Sequence, residues 1–178
     1  MIKKAVIISS KLVQDQEFVF PYYRLLEEEF EIDVCLPEGE IVKGFQGINI
    51  PPNKNQNIIT PNSLDTNNYN LCVLPGGVKS MEQIRLIKNI IDFIHEFNNQ
   101  KKVIACICSA AQLLISAKIV KNRNVSGYYS MKDDLINAGA IYVDEPAVVD
   151  DNLITTAHYK DLGPWFKEAL NIFYKFNS

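Results

Sequence analysis

Three runs in this chain, Ala5 to Ile8, Leu71 to Leu74 and Val103 to Ile107, are apolar at every position. A strand with one solvated face alternates apolar with polar residues, so unbroken runs of this length call for a sheet covered on both sides. Helical patterns lie between them. Lys4 to Ser9 reads as the first strand, Glu17 to Glu29 as a helix ending in Glu27-Glu28-Glu29, and Ile32 to Leu36 as the next strand, a βαβ order. After Leu71 to Leu74 the chain is stopped by Pro75-Gly76-Gly77, and Ile84, Ile87, Ile91 and Ile94 then fall three and four apart on one face of a helix running to Phe97. Strands alternating with helices in this way predict an α/β fold, a three-layer sandwich around a mostly parallel central sheet. In such sheets ligands bind beyond the carboxyl ends of the strands.

The rest of the chain fits the same plan. Pro37 to Asn70 is rich in Gly, Pro and Asn, with short apolar pieces at Ile41-Val42, Ile48 to Ile50 and Ile58-Ile59, and reads as an elaboration with small strands. Lys132 to Asn137 reads as a short helix ended by Gly139, and Ala147 to Val149 with Leu153 to Thr156 as a hairpin turning at Asp150-Asp151-Asn152. Trp165, Ala169, Ile172 or Phe173, and Phe176 form the stripe of a closing helix. With 178 residues, 47% of them apolar, one domain over residues 1–178 is the expectation.

Charge and cysteine content narrow the function classes. A formal charge of -3 without any Lys/Arg-rich block argues against nucleic acid as a partner, which needs clustered positive charge. The run Ala5 to Ile8 after Met1-Ile2-Lys3-Lys4 is too short for a signal-peptide core, and no stretch approaches the roughly 18 apolar residues of a membrane span. Cys35, Cys72, Cys106 and Cys108 lie in or beside apolar runs without the dense framework of a secreted domain, so a reducing cytoplasm is the expected location. Cys106 and Cys108, two apart on a strand, are expected to point the same way with Cα atoms roughly 6.5 Å apart. That is near the upper limit for a disulfide. No metal site is expected either, since a CxC pair here lacks the further Cys or His that would complete a tetrahedron.

Cys108 stands where the strand Val103 to Ile107 meets the helix-like segment Ser109-Ala110-Ala111-Gln112-Leu113-Leu114. A thiol at such a junction faces the amides that open the helix, which lowers its pKa from about 8.5 and makes it a nucleophile. Cys35, Cys72 and Cys106 read as inert core thiols. The amides of Gly76, Gly77 and Ser109 are candidates for an oxyanion hole, provided that the two strand ends are neighbours. Of the two histidines, His95 lies beside the apolar stripe of a helix and reads as structural.

Ala105-Cys106-Ile107-Cys108 followed by Leu113-Leu114-Ile115-Ser116-Ala117 resembles the nucleophile segment of the DJ/PfpI superfamily. Leu74-Pro75-Gly76-Gly77, Glu17 four residues before Pro21-Tyr22, Lys132-Asp133-Asp134 with Ile136-Asn137-Ala138-Gly139-Ala140, and Asp144-Glu145 with Val148-Val149-Asp150 are similar to that family in the same order, over essentially the whole chain. The resemblance implies a flavodoxin-like fold of the class I glutamine amidotransferase type. It makes Glu17 the acid that hydrogen-bonds the Cys108 thiol. An ionised Glu17 would oppose thiolate formation and a protonated one would favour it, so the two should titrate as a pair. Tyr128 and His158 are implied near the pocket, and Glu82 resembles an acid that peptidase-like members contribute across a subunit interface, although its spacing from Gly77 is one residue longer. Those members carry histidine after the nucleophile. Here Ser109 follows, which no longer supplies a base.

The site thus resembles the branch associated with glyoxalase or deglycase activity and stress protection. The expected function is a cofactor-independent enzyme in which Cys108 adds to a small-molecule carbonyl such as methylglyoxal or glyoxal. The alternatives are a thiol hydrolase or peptidase, and a redox sensor or stress chaperone working through oxidation of Cys108. A homodimer or higher homo-oligomer is implied by the resemblance alone.

Overall fold

The side chains of the first strand, β1 (Lys4–Ile8), divide between two cores: Ala5 and Ile7 enter one, Val6 and Ile8 the other, all fully buried. The same division recurs along the chain, which is why these runs show no polar positions. The computed structural model describes residues 3–177; Met1, Ile2 and Ser178 lie outside the described residues.

After β1 come α1 (Asp15–Glu27), β2 (Glu31–Cys35), the ribbon of β3 (Val42–Lys43) with β4 (Asn49–Ile50), β5 (Asn57–Ile59) and β6 (Leu71–Leu74). Helices α2 (Val78–Ile84) and α3 (Lys88–Asn99) lead to β7 (Val103–Ile107), and a single 3₁₀ turn, Cys108–Ala110, precedes α4 (Ala111–Ser116). The chain closes with β8 (Asn124–Val125), α5 (Lys132–Asn137), β9 (Ile141–Tyr142), the hairpin of β10 (Val148–Asp150) and β11 (Leu153–Thr156), and α6 (Leu162–Phe176). Seven strands form the main sheet in the order β10-β11-β7-β6-β1-β2-β5, parallel throughout except for β10 at one edge.

On one face Phe18, Tyr22 and Leu25 of α1 and Trp165, Phe166 and Phe173 of α6 pack on Ala5, Ile7, Val73, Ala105 and Ile107. On the other, Met81, Ile84, Ile90, Ile94, Phe97, Leu113 and Leu114 cover Val6, Ile8, Cys72, Leu74, Ile104 and Cys106. Each such side chain, fully buried, contributes roughly 1.5–3 kcal/mol of transfer free energy. The three layers and the parallel sheet agree with the expected α/β sandwich, and the hairpin turns at Asp151 with φ 54°.

Two local expectations change. The helix expected from Ile84 to Phe97 is two helices with a break at residues 85–87, because α3 takes its own phase: Ile90, Phe93, Ile94 and Phe97 are its buried face, and Ile87 and Ile91 only flank it. Cys106 and Cys108 do not point the same way. Cys106 lies in the core under α3 and α4, whereas Cys108 leaves the strand with φ 62° and packs toward the opposite core.

Candidate active site

β7 pairs in parallel with β6 on one side (Leu74 beside Cys106) and with β11 on the other (Thr156 beside Ile107). β6 in turn pairs with β1. The carboxyl ends of four adjacent strands therefore deliver their following residues to one place: Leu12 and Gln14 after β1, Gly76 and Gly77 after β6, Cys108 and Ser109 after β7, and His158 after β11. These residues, Gly76 excepted, line a cavity of about 420 Å³ with mostly apolar walls, to which Glu17, Phe45, Val78, Lys79, Tyr128 and Tyr159 also contribute.

Cys108 sits in the left-handed region, a conformation that costs a non-glycine residue of order 1–3 kcal/mol. It is half-buried, whereas Cys35, Cys72 and Cys106 are at most 1% exposed. All four are free thiols. Its carbonyl accepts the Tyr128 backbone N–H at 3.1 Å, which fixes the start of the Tyr128 to Met131 segment against the turn at Cys108.

Glu17, in the first turn of α1, is fully buried. Its Oε2 accepts the Gly76 N–H at 2.8 Å. Oε1 is buried with no hydrogen-bond partner among the described residues, and the Cys108 thiol is the acidic group that interacts with this carboxyl and, with the Gly76 N–H, favours its ionised form. Gly76 is wedged between the two: a Cβ there would stand 2.6 Å from Glu17 Oε2 and 2.9 Å from Cys108 Cβ. Gly77 turns with φ 99°, and a Cβ on it would meet the Gln14 backbone nitrogen at 2.6 Å. Here glycine is required by space and by backbone angle.

Burial pushes the Glu17 carboxyl up to about 7, against opposing hydrogen bonds from Cys108 and Gly76. Burial, then the charge of Glu17, pushes the Cys108 thiol up to about 12, while the Ser109 amide and hydroxyl act the other way. The expected depression of the thiol by helix amides is thus outweighed. The residues after Cys108 make one 3₁₀ turn and a six-residue helix, and burial of the sulfur, with the Glu17 charge beside it, acts more strongly than the Ser109 amide and hydroxyl.

The oxyanion arrangement expected of three amides also changes, because the Gly76 N–H is engaged by Glu17. Gly77 and Ser109 remain at the cavity. Tyr128 and His158 both line it, and His158 is held in a group of rings, its centroid 3.9 Å from that of Tyr159, 6.3 Å from Tyr128 and 6.2 Å from Tyr129. Glu82 projects from α2 into solvent and pairs with Lys79 at 3.0 Å, outside this cavity. His95, on α3, bonds the Ala117 carbonyl at the end of α4, away from the site. Among the described residues no cluster of three His, Cys, Asp or Glu side chains is arranged to hold a metal ion, and no helix is long and apolar enough to cross a membrane.

Sequence reasoning missed Phe45, which stands 71% exposed at the cavity mouth on the loop between β3 and β4. Its local signal was a large apolar residue between Gly44 and Gly47. What holds it is distant in sequence: the buried carboxylate of Asp15 accepts the Gln46 and Ile48 backbone N–H groups at 2.7 and 3.0 Å.

Comparison with known proteins agrees with this architecture. The chain is 31% identical over 169 residues to Deglycase PfpI of Pyrococcus furiosus, covering 95% of this chain and 98% of that protein. It is 31% identical over 175 residues to Protein/nucleic acid deglycase 2 of Escherichia coli, covering 97% and 98%. The crystal structure of Drosophila melanogaster DJ-1beta superposes with a TM-score of 0.84 over 98% of this chain and 90% of that one, at 24% identity. The family model described as DJ-1/PfpI family matches residues 3–172, nearly the whole length, and with it the strand ends that meet at Cys108: the chain belongs to the DJ-1/PfpI family.

Proposed function

We propose that this protein is a deglycase- or glyoxalase-type enzyme of the DJ-1/PfpI family, in which Cys108 adds to the aldehyde of a small α-oxoaldehyde or of its amine adducts. The observation that carries this reading is the Cys108–Glu17 pair, a thiol in a strained backbone and a buried carboxylate able to take its proton, both lining a largely apolar cavity. The names of two relatives at 31% identity support it.

In the first step the Cys108 sulfur bonds to the aldehyde carbon as the thiol proton passes to Glu17, and the carbonyl oxygen takes the electron pair of the broken π bond. Reprotonation of that oxygen gives a hemithioacetal. Loss of the proton on its carbon and gain of one at the neighbouring carbon convert it to a 2-hydroxy thioester, which water cleaves to the hydroxy acid and the free thiol. One carbon is oxidised and its neighbour reduced, so no external oxidant or reductant enters. With methylglyoxal the product is lactate. Proton NMR of lactate formation tests this: Cys108→Ala should lose activity by at least about a hundredfold, and an unchanged lactate rate would overturn the reading.

One observation favours a second reading. Cys108 alone of the four cysteines is appreciably exposed, so a redox role predicts that mild peroxide adds two oxygens at Cys108 and spares Cys35, Cys72 and Cys106. Peptide mass spectrometry separates this from oxidation spread over all four.

A further inference from the structure

We propose that His158 serves the reaction as a hydrogen-bond donor through its Nε2–H, aimed at the oxygen of the substrate carbonyl, and not as a base. The proposal rests on the reading of Cys108 as a nucleophile toward carbonyls and assigns the group that receives the negative charge formed in that step.

The need for such a donor follows from Gly76. Carbonyl addition places charge on an oxygen beside Cys108, and the amides that follow β6 and β7 are the nearest backbone donors. One of them is already committed, since the Gly76 N–H is bonded to Glu17 Oε2 at 2.8 Å in a buried contact. Gly77 and Ser109 are left. His158 stands at the end of β11, the strand next to β7, and lines the same cavity as Cys108 and Ser109.

The protonation of its ring is set by the chain itself. The Lys160 backbone N–H donates to Nδ1 at 3.2 Å, capping the 3₁₀ turn Tyr159–Asp161. A ring nitrogen that accepts a hydrogen bond carries no proton, so the neutral imidazole carries its proton on Nε2. The tilted contact with Tyr159 and the stacked rings of Tyr128 and Tyr129 hold the plane of the ring. In this tautomer neither nitrogen is free to take a proton from Cys108: Nδ1 is engaged with the backbone and Nε2 already bears hydrogen. The thiol proton therefore goes to Glu17. His158 keeps its own proton throughout and only shares it with the alkoxide, until the proton on Glu17 returns to that oxygen.

Two substitutions separate this role from capping. In His158→Asn the amide oxygen can take the place of Nδ1 and keep the Lys160 cap, but no donor remains at the Nε2 position. In His158→Gln the amide N–H stands near the Nε2 position and the cap is lost. With methylglyoxal as substrate, kcat should fall about a hundredfold in His158→Asn, the usual cost of one oxyanion donor, and should recover to within several-fold of wild type in His158→Gln. Nitrogen-15 spectra of the wild-type ring should show the proton on Nε2. A His158→Asn variant with wild-type kcat, or a ring protonated on Nδ1, overturns the proposal while leaving Cys108 in place. Absence of lactate even from the wild type overturns the carbonyl reading itself, and the donor role with it.

Discussion

Glu17 and Cys108 hold two acidic protons in a space that accepts one negative charge at a cost and resists a second strongly. Burial, against the hydrogen bonds from Cys108 and Gly76, places the first ionisation at about 7, and burial of the sulfur, with the charge that first ionisation creates, holds the second at about 12. Above about 7 the pair carries a single charge, held mainly by the carboxylate with a minor share on the thiolate. The thiolate share is favoured by the Ser109 amide and hydroxyl, and the carboxylate share by the Gly76 N–H. Reactivity of the sulfur should therefore rise with the first ionisation, long before the thiol is fully deprotonated. Iodoacetamide alkylation of Cys108 across pH is expected to show a step near 7, and Glu17→Gln should abolish it. A single step should then remain below 12, because the like charge is gone. If the substitution left the lower step in place, Glu17 would not be the partner. The sequence made Cys108 readable because a cysteine between an apolar strand and small residues has few uses, and Glu17 readable through its spacing from Pro21. It did not reveal that burial and the carboxylate together outweigh the Ser109 amide, since desolvation is set by residues brought from β1, β6 and β7 together.

Among the elements, the strands were legible and the loops that finish the site were not. Unbroken apolar runs announce β1, β6 and β7 because both faces of each are buried, and that pattern survives without knowledge of their neighbours. The break between α2 and α3 was hidden because Ile84, Ile87, Ile91 and Ile94 keep helical spacing across it. Asp15 shows the same limit from the other side. In sequence it looks like an ordinary acid at a helix start, yet it is fully buried, and its hydrogen bonds reach Gln46 and Ile48 on the loop that carries Phe45 to the cavity. Gly44 permits this approach, since a Cβ on it would stand 2.3 Å from Asp15 Oδ1. Removing the carboxylate leaves two backbone donors without their acceptor. Asp15→Ala should lower stability to urea by about 1–3 kcal/mol and, by freeing Phe45, raise KM for methylglyoxal several-fold with a smaller change in kcat. A variant with wild-type stability would show that the loop is held by other contacts.

Over the molecule as a whole, the layers followed from composition and period, while the order of the strands in the sheet did not. Only the pairing of β7 with β6 and β11 puts Gly76, Cys108 and His158 side by side, and no local pattern encodes those long-range pairings. The resulting site opposes the stability of the fold that builds it. A carboxyl raised to about 7 from its ordinary 4.5 binds its proton more tightly in the folded chain than in the unfolded one. Below 4.5 both forms are protonated and the effect vanishes. As pH rises from there the unfolded chain ionises first, so the folded state loses stability progressively until about 7, and above that the full penalty persists. Its size follows from the separation of the two values, about 3 kcal/mol at most. Glutamine at this position keeps an oxygen for the Gly76 N–H and carries no charge. Glu17→Gln should therefore be more stable than the wild type by up to a few kcal/mol in urea unfolding at about pH 8, with the difference shrinking toward zero near pH 4. A difference that stayed constant across that window, or favoured the wild type at the alkaline end, would show that the buried carboxyl exacts no such cost.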